Sequence, residues 1–307
     1  MQRRLIDYLI ISLKGVAMGA ADAVPGVSGG TIAFISGIYE ELINTISGVN
    51  FTLVTTLKKE GFWVFWEKLN GNFIITLLSG IIISFVSFMR LAKYLLENHP
   101  ILIWSFFFGL IIASIYFVGK QIIKWHLATF LGIFVGAIIA YYITTIPASS
   151  VNDSSYFLFF AGALAICAMI LPGISGSFIL VILGAYKTLS DAIHDFDFKK
   201  LALFVGGAIV GLLSFSHVLK WLFKKYHNLT IALLTGFIIG SLNKVWPWKK
   251  VLTWRENSEG LQVPFLEESI SPFSFDGDNK IVVAISFMVI GFLVIFLLEK
   301  LGAKTND

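Results

Sequence analysis

The segment Val24-Pro25-Gly26-Val27-Ser28-Gly29-Gly30-Thr31 returns as Leu171-Pro172-Gly173-Ile174-Ser175-Gly176-Ser177-Phe178, with Pro172 lying 147 positions after Pro25. At the same offset Gly37, Tyr39 and Leu42 meet Gly184, Tyr186 and Leu189. Farther on the offset becomes 127: Gly80, Ser87, Phe88 and Lys93 meet Gly207, Ser214, Phe215 and Lys220, and Gly109 and Ser114 meet Gly236 and Ser241. The difference of 20 falls in a longer connection in the first half, residues 48–71. Self-similarity on this scale marks one structural unit used twice, which predicts repeats over 1–150 and 151–307.

The solvent for these repeats is a bilayer. Of 307 residues 57% are hydrophobic and only 14% charged, with a mean hydropathy of +0.83; a soluble domain carries about 25% charged residues. Uncharged runs over Gly71–Met89, Pro100–Gly119, Trp125–Asn152, Ser154–Tyr186, Leu201–Leu219 and Ile281–Leu298 approach or exceed the roughly 20 residues that cross the hydrocarbon core as a helix. An all-α integral membrane protein is expected. The net charge of +4 is spread over short connections, as topology signals are, and does not suggest a nucleic-acid partner. Cys167 is the single cysteine, which excludes an intrachain disulfide and cysteine-ligated metal. The amino terminus resembles a signal peptide superficially, but Asp7 and Lys14 interrupt its apolar stretch, so it is expected to stay with the chain.

Each half reads as an apolar segment ending at the Pro-Gly motif, a short apolar segment leaving it, and three spanning helices. In the first half these are 5–23, 30–47, 72–96, 101–119 and 126–146; in the second, 156–171, 177–192, 201–223, 229–245 and 281–299. Proline among several glycines opposes a continuous helix, so each motif is predicted at the tip of a re-entrant hairpin. Irregular backbone at membrane depth persists only where protein buries it or where it lines a cavity, so the two motifs should meet inside. A hairpin that enters and leaves by one face, followed by three crossings, inverts the second half. Eleven basic loop residues on the face of the termini against seven on the other favour both termini in the cytoplasm of a bacterial cell membrane. Residues 48–71, with Phe51, Trp63 and Trp66 among lysines, are expected to lie along the interface. The excursion 246–280, with six acidic residues, is expected outside the cell.

A helix beginning inside the membrane presents unsatisfied amides and a partial positive charge. Glycines at 29, 30 and 176 let an anion approach the backbone, and Ser28, Thr31, Ser175 and Ser177 add hydroxyl donors; the same glycines could instead serve only tight turns and close helix packing. The predicted substrate contacts are Pro25, Gly26, Ser28, Gly29, Gly30 and Thr31 together with Pro172, Gly173, Ser175, Gly176, Ser177 and Phe178. Arg90 could grip a phosphate with its planar fork, with Lys93 and Lys220 as point charges; snorkelling from a helix end is the competing role for the lysines. Asp22 could cap the following short helix or bind a coupling proton or cation, and His217 could carry a coupled proton or simply be hydrogen-bonded. Neither motif ends in the Gly-Lys-Ser of a nucleotide-phosphate loop, so no nucleotide cofactor is expected and transport would draw on a gradient.

The paired motifs Ala21-Asp22-Ala23-Val24-Pro25-Gly26-Val27-Ser28-Gly29-Gly30-Thr31 and Leu171-Pro172-Gly173-Ile174-Ser175-Gly176-Ser177 resemble those of a bacterial membrane family once catalogued as a domain of unknown function and now assigned as undecaprenyl-phosphate translocases. The resemblance covers essentially the whole chain. It implies a transporter, not an enzyme, that returns the monophosphate lipid carrier from the outer to the inner leaflet for cell-envelope precursor synthesis. The main rival is a polyprenyl-pyrophosphate phosphatase, whose Pro-Gly-x-Ser motif continues with an arginine; Gly29 and Gly176 stand at that place here. A gradient-driven carrier of a small anion fits the same helix-end physics.

Overall fold

The uncharged runs become the long helices of the computed structural model, which describes residues 3–303 apart from 25, 26, 148, 150, 152, 153 and 257–261. Pro25 and Gly26 therefore lie outside the described residues. The first half contains α1 (Leu5–Asp22), α2 (Gly29–Ile35), α3 (Tyr39–Ser47), α4 (Phe51–Lys59), α5 (Phe62–Lys68), α6 (Gly71–Asn98), α7 (Pro100–Gly119) and α8 (Leu127–Thr145). The second contains α9 (Ser155–Ile170), α10 (Gly176–Ile182), α11 (Tyr186–His194), α12 (Phe198–Ser241), a 3₁₀ turn (Leu242–Val245), strands β1 (Lys249–Glu256) and β2 (Gln262–Ser269), and α13 (Ile281–Ala303). Four helices, Gly71–Asn98, Pro100–Gly119, Leu127–Thr145 and the composite Phe198–Val245, are long and apolar enough to cross a membrane, and the protein is membrane-embedded.

The two offsets recur in the backbone. Moving α2 and α3 by 147 residues gives the bounds of α10 and α11, and moving α6 by 127 gives 198–225, the first part of α12. His99, between α6 and α7, has φ −138° and ψ 50°; Tyr226, its counterpart, has φ −134° and ψ 46° and bends α12. Pro100 has no amide to continue the ladder from α6, whereas its counterpart His227 does. The two expected second-half helices are thus joined at Tyr226 without a gap. The expected segments 30–47 and 177–192 each break in two, because Gly37 (φ +75°) and Gly184 (φ +69°) sit in left-handed backbone, where glycine carries no steric penalty. Across that break α10 and α11 are bent by 108°.

Small residues set the helix packing. A Cβ on Gly80 would strike the Ser12 carbonyl of α1, and one on Gly207 the Phe159 carbonyl of α9, so α6 packs on α1 as α12 packs on α9. The last helices exchange partners. α8 packs on the second part of α12, with Gly136 against Leu233, and α13 packs on α7, with Gly291 against Phe106. Close backbone approach of this kind is how helices associate where lipid removes the hydrophobic drive.

The polar excursion departs from the all-helical expectation. Its strands pair antiparallel from Lys249↔Ser269 to Glu256↔Gln262. The hairpin is anchored by Trp248, 3% exposed against Ile101 and Ala284, whose indole donates to the Asn279 carbonyl at 2.8 Å. At the end where the chain starts, Glu41 accepts from Arg3 at 2.6 Å and from Asn70 at 2.8 Å. There α4 and α5 hold Phe51 and Trp63 93% and 80% exposed, with Lys58 and Lys59 beside them, the composition of helices lying in a membrane interface.

Candidate functional site

The motifs touch. Helix α9 stops before Pro172, and its last carbonyls need donors from outside the helix. The first motif supplies them: Ser28 Oγ lies 3.3 Å from the carbonyls of both Met169 and Leu171, and Tyr39 Oη donates to Ile170 at 3.1 Å. In return the Gly173 amide donates to Thr31 Oγ1 at 2.9 Å. Gly30 is needed where α2 crosses α9, since a Cβ there would sit 2.6 Å from the Ile170 carbonyl oxygen. Gly173, at φ +87°, is pressed on the end of α12: a Cβ would sit 2.9 Å from both the Phe237 carbonyl and Ser241 Oγ.

Despite their shared Pro-Gly-x-Ser-Gly core, the motifs differ in what their polar groups do. In the first, the Gly29 amide donates to Asp22 Oδ1 at 2.7 Å, the Gly30 amide to Ser28 Oγ at 3.1 Å and the Thr31 amide to the Ser28 carbonyl at 3.0 Å. Ser28 and Thr31 are 1% exposed. Asp22 thus takes the capping role, one of the two the sequence allowed. In the second, Met169 stands in place of Asp22 and cannot cap. Ser175 makes no cap bond to α10; its hydroxyl lies 2.8 Å from that of Ser177, with Ser175 partly and Ser177 fully open to the surface. Tyr39 is 2% exposed and Tyr186, its counterpart, 42%.

This difference yields a prediction about Asp22. Asp22→Ala strips the amide of buried Gly29 of its acceptor and should lower stability by about 1–2 kcal/mol. Asp22→Asn keeps an acceptor and should cost less than half as much. Thermal denaturation of the purified variants reads both; an Asn variant as unstable as the Ala variant would show that the charge, not the cap, holds the turn.

The basic candidates are exposed on α6 and α12. The buried side of α6 runs through Phe73, Leu77, Gly80, Ser84 and Ala92, and Arg90, about 200° around the helix from Ala92 at 100° per residue, is exposed. Lys93 is exposed too. His217 is exposed, with Nδ1 2.7 Å from the Leu213 carbonyl of its own helix. Lys220 lines an open cleft of about 210 Å³ with Glu40, Ile43, Asn44, Phe223 and Lys224, beside which His227 Nε2 lies 3.1 Å from Glu40 Oε1.

Two lysines were missed by sequence reasoning. Lys14, 8% exposed, donates to the Ser36 carbonyl at 2.7 Å and so caps the end of α2, where a cation suits the helix dipole; its only sequence signal was a charge interrupting an apolar run. Lys244 holds Nζ 4.5 Å from the centre of the Phe178 ring in the second motif. Nearby, Lys249 Nζ donates to the Lys244 carbonyl at 2.9 Å, lies 3.4 Å from Glu267 and 4.0 Å from the Trp104 ring centre. Burial pushes the Lys249 ammonium down to about 8, with Glu267 opposing the shift.

Residues 18–263 match the model of the undecaprenyl phosphate translocase-like family. The chain belongs to that family. A polyprenyl-phosphate transporter of Vibrio cholerae is 44% identical over 308 aligned residues, 99% of this chain and 100% of the relative. A polyprenyl-phosphate transporter of Staphylococcus aureus is 35% identical over 255, covering 76% of this chain and 85% of the relative. No solved structure matches the chain. The family match takes in both motifs, α12 and the turn that carries Lys244.

Proposed function

We propose that the protein carries polyprenyl monophosphate lipid, of the undecaprenyl phosphate class, from the outer to the inner leaflet of a bacterial cytoplasmic membrane for cell-envelope precursor synthesis. The observation that carries the reading is the pair of Pro-Gly motifs packed on each other among long apolar helices, with Ser175 and Ser177 open at one of them. The names of the two bacterial relatives support the substrate. A phosphate headgroup needs donors at membrane depth, while the polyprenyl tail stays in lipid. In this reading Arg90, Lys93 and Lys220, exposed on α6 and α12, attract the anion from the membrane surface. Asp22 and His217 are the candidates for a coupled proton or cation, and both termini are cytoplasmic.

The halves act as inverted repeats with a re-entrant hairpin in each, and transport alternates between two ends. At the starting end α3 is docked on α12, with Phe34, Tyr39 and Phe223 in ring contact at 4.8, 5.9 and 6.2 Å. At the opposite end α11 makes no comparable contact with α6 among the described residues. The offsets pair Lys187 with Glu40, Asp191 with Asn44, Lys93 with Lys220 and Glu97 with Lys224. Docking α11 on α6 would return the Glu40–Lys224 pairing with its signs exchanged, as Lys187 against Glu97, and would set Asp191 against Lys93. Reclosing there while α3 releases would carry the bound headgroup across.

Reconstitution with hydroxyl deletions tests the site. Ser175→Ala with Ser177→Ala should slow transbilayer movement of labelled polyprenyl phosphate by about tenfold or more, as loss of two hydrogen bonds to an anion implies. Ser28→Ala should chiefly lower stability. Transport at the wild-type rate by a folded Ser175/Ser177 double variant would remove the second motif from the site.

A further inference from the structure

The open motif lacks an assigned cation. An ammonium in an apolar setting is costly and is retained in membrane proteins where it meets a counter-charge or a ligand. Lys244 is half-buried at the end of α12 and forms no ion pair within 4 Å among the described residues; Glu267, near enough to act on it electrostatically, is held by Lys249 at 3.4 Å. Its partner is the face of Phe178, which attracts a cation but does not neutralise it.

Its position follows from α12. Phe237, Ile238 and Ser241 line the side of that helix pressed on Gly173, and Lys244 follows Ser241 by three residues, so the same side carries its ammonium to the second motif. Ser175 and Ser177, whose hydroxyls are hydrogen-bonded only to each other among the described residues, precede Phe178 in the same motif. Lys244, Lys249 and Glu267 together leave one positive charge. The first motif has the opposite sign, from Asp22, and Phe117 stands at the counterpart of Lys244.

We infer that Lys244, with the hydroxyls of Ser175 and Ser177, forms the site that takes the monophosphate group, and that Lys244 selects phosphate over the uncharged alcohol. This rests on the proposed transport function but assigns a residue that reading does not need. Phe178 then has a second role: it holds the ammonium in place while the site is empty.

The test uses the full chain, purified and reconstituted, in the wild type, Lys244→Gln and Lys244→Arg. Two readouts are taken: transbilayer movement of labelled polyprenyl phosphate, and the rise in melting temperature on adding polyprenyl phosphate, polyprenol or inorganic phosphate. In the wild type, polyprenyl phosphate should raise the melting temperature and polyprenol should not. Lys244→Gln should lose that rise and transport about tenfold or more slowly, whereas Lys244→Arg should retain transport within about threefold, since guanidinium also binds phosphate. A folded Gln variant that keeps both the rise and the transport overturns the assignment, as does an Arg variant as impaired as Gln. A rise with inorganic phosphate equal to that with the lipid would support the cation site and name free phosphate as its ligand. A folded wild type that moves no polyprenyl phosphate would defeat the transport reading beneath it, and the assignment as made.

Discussion

Gly80→Ala and Gly207→Ala should each destabilise the protein by several kcal/mol, the range of severe overpacking, whereas Gly119→Ala should be neutral or stabilising. The new methyl at Gly80 meets the Ser12 carbonyl and the Gly15 backbone; at Gly207 it meets the Phe159 backbone. Backbone cannot rotate away as a side chain can, so the helices must separate, and α1 with α6, or α9 with α12, loses its closest contact. At Gly119 the nearest atom is the Thr235 methyl at 3.8 Å, ordinary contact, and alanine there gains up to about 1 kcal/mol of helix propensity. Thermal denaturation in detergent decides. Equal losses at the two offset-related glycines are expected because the contact is the same one made twice; a large loss at one and none at the other would show that the two packings are not equivalent.

Locking either end should abolish transport. In a Cys167→Ser background, Glu40→Cys with Lys224→Cys places two thiols in the cleft that α3 and α12 already line, and a short bifunctional thiol reagent should join them readily. Lys187→Cys with Glu97→Cys places them on α11 and α6, which share no contact comparable to that of α3 and α12 among the described residues. Cross-linking of the second pair is expected only if α11 docks on α6 during the cycle. Polyprenyl phosphate should raise its yield, because a ligand shifts an equilibrium by its differential affinity for the two states. Each lock should reduce transport to background, and cleaving the linker should restore it. Failure of the second pair to join under turnover, in protein that transports normally, would sink the alternating reading.

What the sequence disclosed depended on how local the cause was. Pro100 and the Pro-Gly motifs act through a missing amide and a glycine backbone, so the ends of α6, α1 and α9 were legible within a few residues. The meeting of the motifs also followed, from the rule that irregular backbone at depth must be enclosed. Gly37 and Gly184 were visible as a matched pair, but their positive φ was not, and α2–α3 and α10–α11 were each read as one segment. The β-hairpin arises in a charged excursion where Pro264 and the acids obscure the alternation. Exchange of α8 and α13 between the halves is purely tertiary. So is the placement of Lys244: one turn past Ser241 it reads as a lysine at a helix end, and only the packing of α12 on Gly173 turns it toward Phe178. The unlike state of the two related motifs had sequence traces in Asp22 against Met169, Gly30 against Ser177 and Thr31 against Phe178.

The most direct measurement follows two products at once in liposomes containing only this protein: transbilayer movement of labelled polyprenyl phosphate, and inorganic phosphate released from polyprenyl pyrophosphate. The account predicts movement of the monophosphate, slowed about tenfold or more in the Ser175→Ala, Ser177→Ala double variant, with no phosphate release. Phosphate release, or folded protein that leaves the lipid where it started, would contradict it.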